Sequence, residues 1–273
     1  MNTLKNKTII ITGASRGIGR AIALRCAKEG ANVAILAKTA EEHPKLPGTI
    51  HSVANEVKAL GGQALPIQID LRDAEDIQVA IQQVVATFGG IDALVNNAGV
   101  LNISDTLNTP IKRFDLMFNV NSRAPFFVAQ ACIPYLRQAQ NPHIINVSPP
   151  LNMDPKWFKN HLVYTMSKYN MSMCTIGMAA EFAKDRIAVN SLWPMTAIAT
   201  TAVEVHFPPE VYQASRKPDI MGEAAFLLLT SNSTEVTGNL FTDEAVLVRH
   251  GITDLSKYAL NKEKQLFMDA FLD

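Results

Sequence analysis

The chain reads as a doubly wound α/β fold, one parallel sheet with helices on both faces, in a single domain spanning 1–273. Two observations predict it. The first is the turn Thr12-Gly13-Ala14-Ser15-Arg16-Gly17-Ile18-Gly19, which follows an apolar run at 8–11 and opens an amphipathic stretch at 20–28. A strand that ends in glycines and feeds a helix leaves backbone N–H groups free at the helix N-terminus, where a pyrophosphate is favoured. The second is the alternation that continues from there, because repeated strand-helix units close through right-handed crossovers into a parallel sheet. Together these describe a Rossmann fold.

The elements follow in order. After the strand at 8–11 and the helix at 20–28, a second strand is expected at 31–37. Ile50, Val53, Val57 and Leu60 then mark one helix face, stopped by Gly61-Gly62. A third strand at 63–70 precedes a helix that begins near Asp73, buries Ile77, Ile81, Val84, Val85 and Phe88, and stops at Gly89-Gly90. Strands four to six are expected at 91–96, 143–148 and 187–193. No linker, repeat or low-complexity stretch divides the chain. The cofactor half is expected at about 1–150, a substrate lid at about 194–218 and a C-terminal extension at about 245–273.

Composition narrows the partners. The 25 Lys and Arg balance the 25 Asp and Glu, and the charges are interspersed, which argues against nucleic acid or an anionic membrane as partner. Cys26, Cys132 and Cys174 lie far apart in helix-like segments, so neither a disulfide framework nor a metal site is expected. Residues 1–7 lack the apolar region of a secretion signal, and no apolar run free of charge reaches membrane-spanning length. A soluble, cytoplasmic protein is the expectation.

In the glycine turn, Gly13, Gly17 and Gly19 with Ser15, Arg16 and Ile18 are the expected dinucleotide contacts. The second strand ends at Ala37-Lys38, where an NAD enzyme usually carries a carboxylate for the ribose hydroxyl. Lys38 and Arg16 could pair with a 2′-phosphate that no local carboxylate repels, so NADP(H) is favoured over NAD(H). The alternative is that both are solvated surface cations. Asp70 ends the third strand at the expected adenine edge, unless it is a turn residue. Asn96-Asn97-Ala98-Gly99 ends the fourth strand with small residues that let a cofactor approach the backbone, or forms an ordinary turn. The cofactor contacts expected there are Asn97, Ala98 and Gly99.

Tyr164-Thr165-Met166-Ser167-Lys168 brings in chemistry. Residues four apart share a helix face, so the Lys168 ammonium can favour the Tyr164 phenolate and bring it toward useful acid-base range. Alone, the pair is a weak signal. The ordered set of glycine turn, Asn-Asn-Ala-Gly, an Asn in the fourth helix and Tyr-x-x-x-Lys resembles the short-chain dehydrogenase/reductase family, from about 8 to about 242. That resemblance implies Tyr164 as catalytic acid/base and Lys168 as its modulator and holder of the nicotinamide ribose. It implies Asn121 as support for a relay water, with Asn119 the less favoured candidate. It also implies cofactor contacts from Pro194 and Thr196, and a homodimer or homotetramer through the fourth helix and the helix bearing Tyr164.

The chain departs from the family pattern in places. Where members usually carry Ser-Ser, it has Ser148-Pro149-Pro150, leaving Ser148 as the nearby hydroxyl, with oxyanion support from it, from Asn152 or from Tyr164 alone. The usual Pro-Gly after the sixth strand is Pro194-Met195, and glycines after the seventh become Asp243-Glu244. These departures resemble a subgroup of the family, through 37–40 with His43-Pro44-Lys45-Leu46-Pro47-Gly48, through 148–152 with Trp157-Phe158, and through the tail from Gly251. Some members of that subgroup act on acyclic terpenoid alcohols. Animal members carry a sterol-carrier domain and a peroxisomal terminus, and neither is expected here. Ala197, Ile198, Ala199, Val203, Val205, Phe207, Pro208, Pro209 and Tyr212 in the lid, with Trp157, Phe158 and Trp193, predict an apolar pocket, or else ordinary packing. The expected activity is NADP(H)-dependent oxidoreduction of a small apolar alcohol or carbonyl, lipid- or terpenoid-like. A reductase of enoyl or β-ketoacyl thioesters and a non-catalytic NADP(H) sensor are the alternatives.

Overall fold

The structure, a computed structural model, describes residues 3–44 and 46–273, so Lys45 of the 43–48 stretch lies outside the described residues. Seven parallel strands form one sheet: β1 (Thr8–Thr12), β2 (Asn32–Ala37), β3 (Gln63–Gln68), β4 (Ala93–Asn96), β5 (His143–Asn146), β6 (Ala188–Trp193) and β7 (Leu240–Thr242). Their order is β3-β2-β1-β4-β5-β6-β7, which reverses direction between β1 and β4. Strands β1, β2, β5 and β6 are buried along their whole length, as the apolar runs predict for a sheet covered twice.

Alternation along β1 assigns the layers. Ile9 and Ile11 face the core built with helices α1 (Gly17–Ala27), α2 (Ile50–Ala59), α9 (Asp219–Thr230) and α10 (Asp243–Arg249). Ile10 faces the core built with α3 (Ala74–Phe88), α5 (Ala124–Leu136) and α6 (Leu162–Glu181). Each of these isoleucines is fully buried, worth about 1.5–3 kcal/mol relative to exposure.

Helix ends follow local chemistry. Asp73 accepts from the amides of Glu75 and Asp76 to start α3, and Gly89 ends it at φ +84°. Thr49 and Ser52 form a capping box at the start of α2. Leu60, expected on the buried face, lies just past α2 and is exposed, because the helix ends at Ala59 and the chain turns at Gly61. Helix α4 (Ile111–Met117) runs through a π-helical turn at Phe118–Arg123 into α5. Asn121 sits in that turn, which adds a residue to the helix and re-aims its side chain.

The expected lid contains two short helices, α7 (Thr201–His206) and α8 (Pro209–Gln213). Beyond α10 the chain is mostly irregular, and it returns to the carboxyl edge of the sheet. There Phe267 N–H donates to the Ala214 carbonyl at 2.9 Å, and Ala197 N–H donates to the Phe267 carbonyl at 2.8 Å.

Candidate active site

The strand order reverses at the carboxyl ends of β1 and β4, where a doubly wound sheet opens its ligand crevice. Thr12 Oγ1 accepts from the amides of Asn97 and Ala98, each at 3.0 Å, and Asn97 Nδ2 donates to the carbonyls of Thr12 and Gly13 at 2.9 and 3.1 Å. This stitching leaves no room for a side chain at Gly13 or Gly19. A Cβ on Gly13 would come 2.7 Å from Ala98 Cα, and one on Gly19 would come 2.5 Å from Asn97 Nδ2. Helix α1 begins at Gly17, with no side-chain cap and no acidic residue in its first turn. Its N-terminus therefore suits an anion, and the residues present fit a dinucleotide pyrophosphate.

The adenosine end departs from expectation. A carboxylate is present: Lys38 Nζ donates to Asp70 Oδ2 at 3.1 Å, and Arg72 Nη2 donates to the same oxygen at 2.6 Å. The sequence reading placed no local carboxylate beside Lys38, and it overlooked Arg72, because strands β2 and β3 bring 38 and 70 together only in the fold. Hydrogen bonds from Arg72 and Lys38 hold the Asp70 carboxyl well below the usual range. Arg16 donates from Nη2 to the Gly48 carbonyl at 2.9 Å, and Ser15 is buried beneath the same loop. Gly48 has φ +96° and approaches Ser15 so closely that a Cβ would lie 2.4 Å from its carbonyl oxygen. Arg16 is thus tied to the loop, and Lys38, with 71% of its side chain exposed, is the freer cation.

At the other end, Ile18, Asn97, Gly99, Tyr164, Lys168 and Pro194 line one cavity of about 700 Å³. Lys168 Nζ donates to the Val147 carbonyl at 2.6 Å and stands 5.2 Å over the Trp193 ring. Burial lowers its pKa to about 8, against a raising contribution from the Asp269 charge. Burial, and then Asp269, push the Tyr164 phenol above its ordinary value. The expected downward shift from Lys168 does not dominate, because an anion and an apolar surround oppose it. Asn121 is fully buried, donating from Nδ2 to the Val100 carbonyl at 2.9 Å and to Ser167 Oγ at 3.0 Å, while its Oδ1 accepts from Val100 N–H at 2.8 Å. Its side chain buttresses the cavity floor. Asn119 instead donates to the Asp115 carbonyl on the exposed side.

The remaining expected residues stand as follows. Ser148 is buried, its hydroxyl has no partner among the described residues, and it is not among the residues lining the cavity. Asn152 donates to Asp273 at 2.9 Å, away from the cavity. Thr196 is buried under the tail, paired in a bridge with Met268. Within the lid, Ala197, Ile198, Val203 and Phe207 line the cavity, whereas Val205 is exposed and Tyr212 lies outside. Trp157 and Trp193 line it, but Phe158 packs edge-on against Tyr169.

Sequence reasoning missed His161, Asp269 and Phe271, all of which line the cavity. His161 lies one helical turn before Tyr164, a spacing that could have been read. The tail residues are distant in sequence and belong to no motif. Two departures from the family pattern meet here: Met195 N–H donates to Asp243 Oδ1 at 2.8 Å, so the two changed positions stabilise each other.

A glycine cradle at the sheet's switch point and a Tyr-Lys pair facing an apolar cavity define a nucleotide-dependent α/β oxidoreductase. The sequence matches a family model described as short chain dehydrogenase over residues 7–208. The chain therefore belongs to the short-chain dehydrogenase family, whose members are oxidoreductases that bind nicotinamide cofactors. It is 52% identical over 266 residues to hydroxysteroid dehydrogenase-like protein 2 of Xenopus tropicalis, covering 97% of this chain and 63% of that one. The chain thus spans less than two thirds of the curated relatives of that name, and the subgroup likeness in the sequence is to them. A structure from Xanthomonas campestris, provisionally described as a dehydrogenase, has 50% identity and a TM-score of 0.96, covering 99% of both chains. A metagenomic short-chain oxidoreductase solved in complex with NADP has 27% identity and a TM-score of 0.73, covering 88% of this chain and 97% of that one. No helix among the described residues is long and apolar enough to cross a membrane.

Proposed function

We propose that the protein is an NADP(H)-dependent oxidoreductase acting on an apolar alcohol or its carbonyl, lipid- or terpenoid-like, with Tyr164 as acid/base. One observation carries this reading: Tyr164 and Lys168 face the same largely apolar cavity, and that cavity continues to Asn97, Gly99 and Pro194 beside the glycine turn. When bound, the nicotinamide supplies or accepts a hydride. The turn from Gly13 to Gly19 would hold the pyrophosphate, Lys168 the nicotinamide ribose, and Asn121 the backbone beside them. Tyr164 gives its proton to the carbonyl oxygen in reduction or takes it back in oxidation. A half-buried phenol in an apolar surround favours the protonated form, which suits the acid role.

The NADP(H) preference is supported by Lys38 and Arg72, two cations sharing one carboxylate and leaving a positive surplus at the end of β2. A homodimer or homotetramer through the α4–α5 and α6 faces is part of the same reading. Phe126 on α5 with Met173 and Ile176 on α6 are exposed there. A cytoplasmic location also belongs to it. The competing reading, an NADP(H) sensor, draws on Pro149 standing where the family serine would be.

Two measurements test the proposal. In a fluorescence titration, NADPH should bind at least about tenfold more tightly than NADH, and Lys38→Glu should erase the difference. Tighter NADH binding would reverse the cofactor assignment. NADP⁺ reduction should proceed with medium- and long-chain or terpenoid alcohols. Turnover confined to hydroxyacyl thioesters would select the thioester reductase instead.

A further inference from the structure

The tail enters the cavity along a fixed path. Asp269 N–H donates to the Met195 carbonyl at 3.2 Å, and the Trp193 indole N–H donates to the Ala270 carbonyl at 3.1 Å. Phe271 is 1% exposed, at a left-handed φ of 71°. It sits among Trp157, Tyr164, Tyr169 and Trp193, with ring centroids 5.3 to 6.2 Å away. These contacts leave the Asp269 side chain lining the cavity beside Tyr164 and Lys168.

Asp269 is half-buried in a largely apolar wall, and a carboxylate partly withdrawn from water needs a partner or a proton. Among the described residues its only side-chain hydrogen bond is local, as Asp269 Oδ1 accepts from Ala270 N–H at 2.7 Å. From α6, Lys168 and Tyr164 face it. From α10, Asp243 faces it across Met195, whose N–H donates to the Asp243 carboxylate and whose carbonyl accepts from the Asp269 backbone N–H. Behind Asp243 stand Arg216 and Glu244, and His161, Arg113 and His206 line more of the cavity wall. Lys168 and Arg216 are the buried cations of this group; Arg216 is paired with Glu244, whereas among the described residues the only oxygen partner of Lys168 is the Val147 carbonyl.

We propose that Asp269 is a positioning residue, the counter-ion that keeps Lys168 protonated beside Tyr164, so that the C-terminal tail is part of the catalytic apparatus. The proposal rests on the reading of Tyr164 as acid/base. Burial raises the Asp269 carboxyl to about 7, so its charge changes near neutral pH. When it ionises, it favours the ammonium of Lys168 and opposes the phenolate of Tyr164.

The test follows the Lys168 Cε resonance by NMR in full-length protein carrying ¹³C-lysine, with Lys168→Met assigning the signal. Replacing the carboxylate by an amide, Asp269→Asn, should lower the Lys168 midpoint by about one pH unit. The basic limb of the kcat/KM profile should move the same way, while NADPH affinity stays within about twofold. Asp269→Glu, which keeps the charge, should restore the wild-type midpoint. If the Asn variant does not fold, Asp269→Ser carries the same comparison. An unmoved midpoint overturns the proposal. A moved midpoint in a protein without Tyr164-dependent turnover upholds the counter-ion and overturns the catalytic reading of Tyr164. Tyr164-dependent turnover with an unmoved midpoint does the reverse.

Discussion

Lys168 donates to the Val147 carbonyl at 2.6 Å, tying the middle of α6 to the strand end of β5. Val147 N–H in turn donates to the Asn96 carbonyl at 2.9 Å, so the ammonium is referenced to the same sheet edge as Asn97 and Gly99. Burial lowers its pKa to about 8, which a guanidinium cannot match. Lys168→Arg is expected to reduce kcat by about a hundredfold or more and to keep a melting temperature near wild type. Steady-state kinetics with thermal melts checks this. Activity within twofold of wild type would remove Lys168 from the chemistry.

Gly19 packs against the stitching between β1 and β4, and an added Cβ would meet Asn97 Nδ2 at 2.5 Å and the Gly13 carbonyl oxygen at 2.7 Å. Gly19→Ala is expected to cost about 1–3 kcal/mol of stability and to weaken NADPH binding more than about tenfold. Gly177 on α6 has nothing within 4 Å of its added Cβ, so Gly177→Ala should leave binding unchanged. Urea melts and cofactor titration of both variants separate a crowding effect from a general response to alanine.

His143 gives the fold an acid-sensitive element. It is 1% exposed, its Nδ1 has no partner among the described residues, and burial lowers its pKa from 6.5 to about 4. The folded value lies below the unfolded one, so its contribution is whole above 6.5 and is lost as pH falls toward 4, about 3 kcal/mol in all. Asp243 and Asp269, raised by burial to about 6 and about 7, act oppositely: acidification through those values stabilises the fold. His143→Gln should therefore lose about 2 kcal/mol less than wild type between about pH 7.5 and 4.5, read from urea unfolding. An identical pH dependence in both proteins would contradict the assignment.

The fold was legible because each strand and helix announces itself locally. The apolar run at 8–11, the Asp73 cap and the Gly89 stop all act within a few residues, and β1 and α3 end beside them. The cofactor cradle was legible for the same reason, since glycines are demanded by contacts that recur wherever β1 meets β4. Tyr164, Lys168, Asn97, Gly99 and Pro194 converge as their positions after strand ends imply. What could not be read depends on distant chain segments. The Lys38-Asp70-Arg72 cluster exists only because β2 and β3 are neighbours, and Asp269 lines the same cavity as Lys168 only because the tail folds back. Where the Ser148 hydroxyl points could not be read from residue identity; it is buried without a partner among the described residues.

The central claim is tested most directly by comparing wild type with Tyr164→Phe in NADP⁺ reduction by the alcohol that wild type turns over fastest, with NADPH binding measured on the same samples. The account predicts that the variant binds NADPH within about twofold of wild type while its kcat falls by about a hundredfold or more. Turnover that survives the substitution unchanged would contradict Tyr164 as the acid/base.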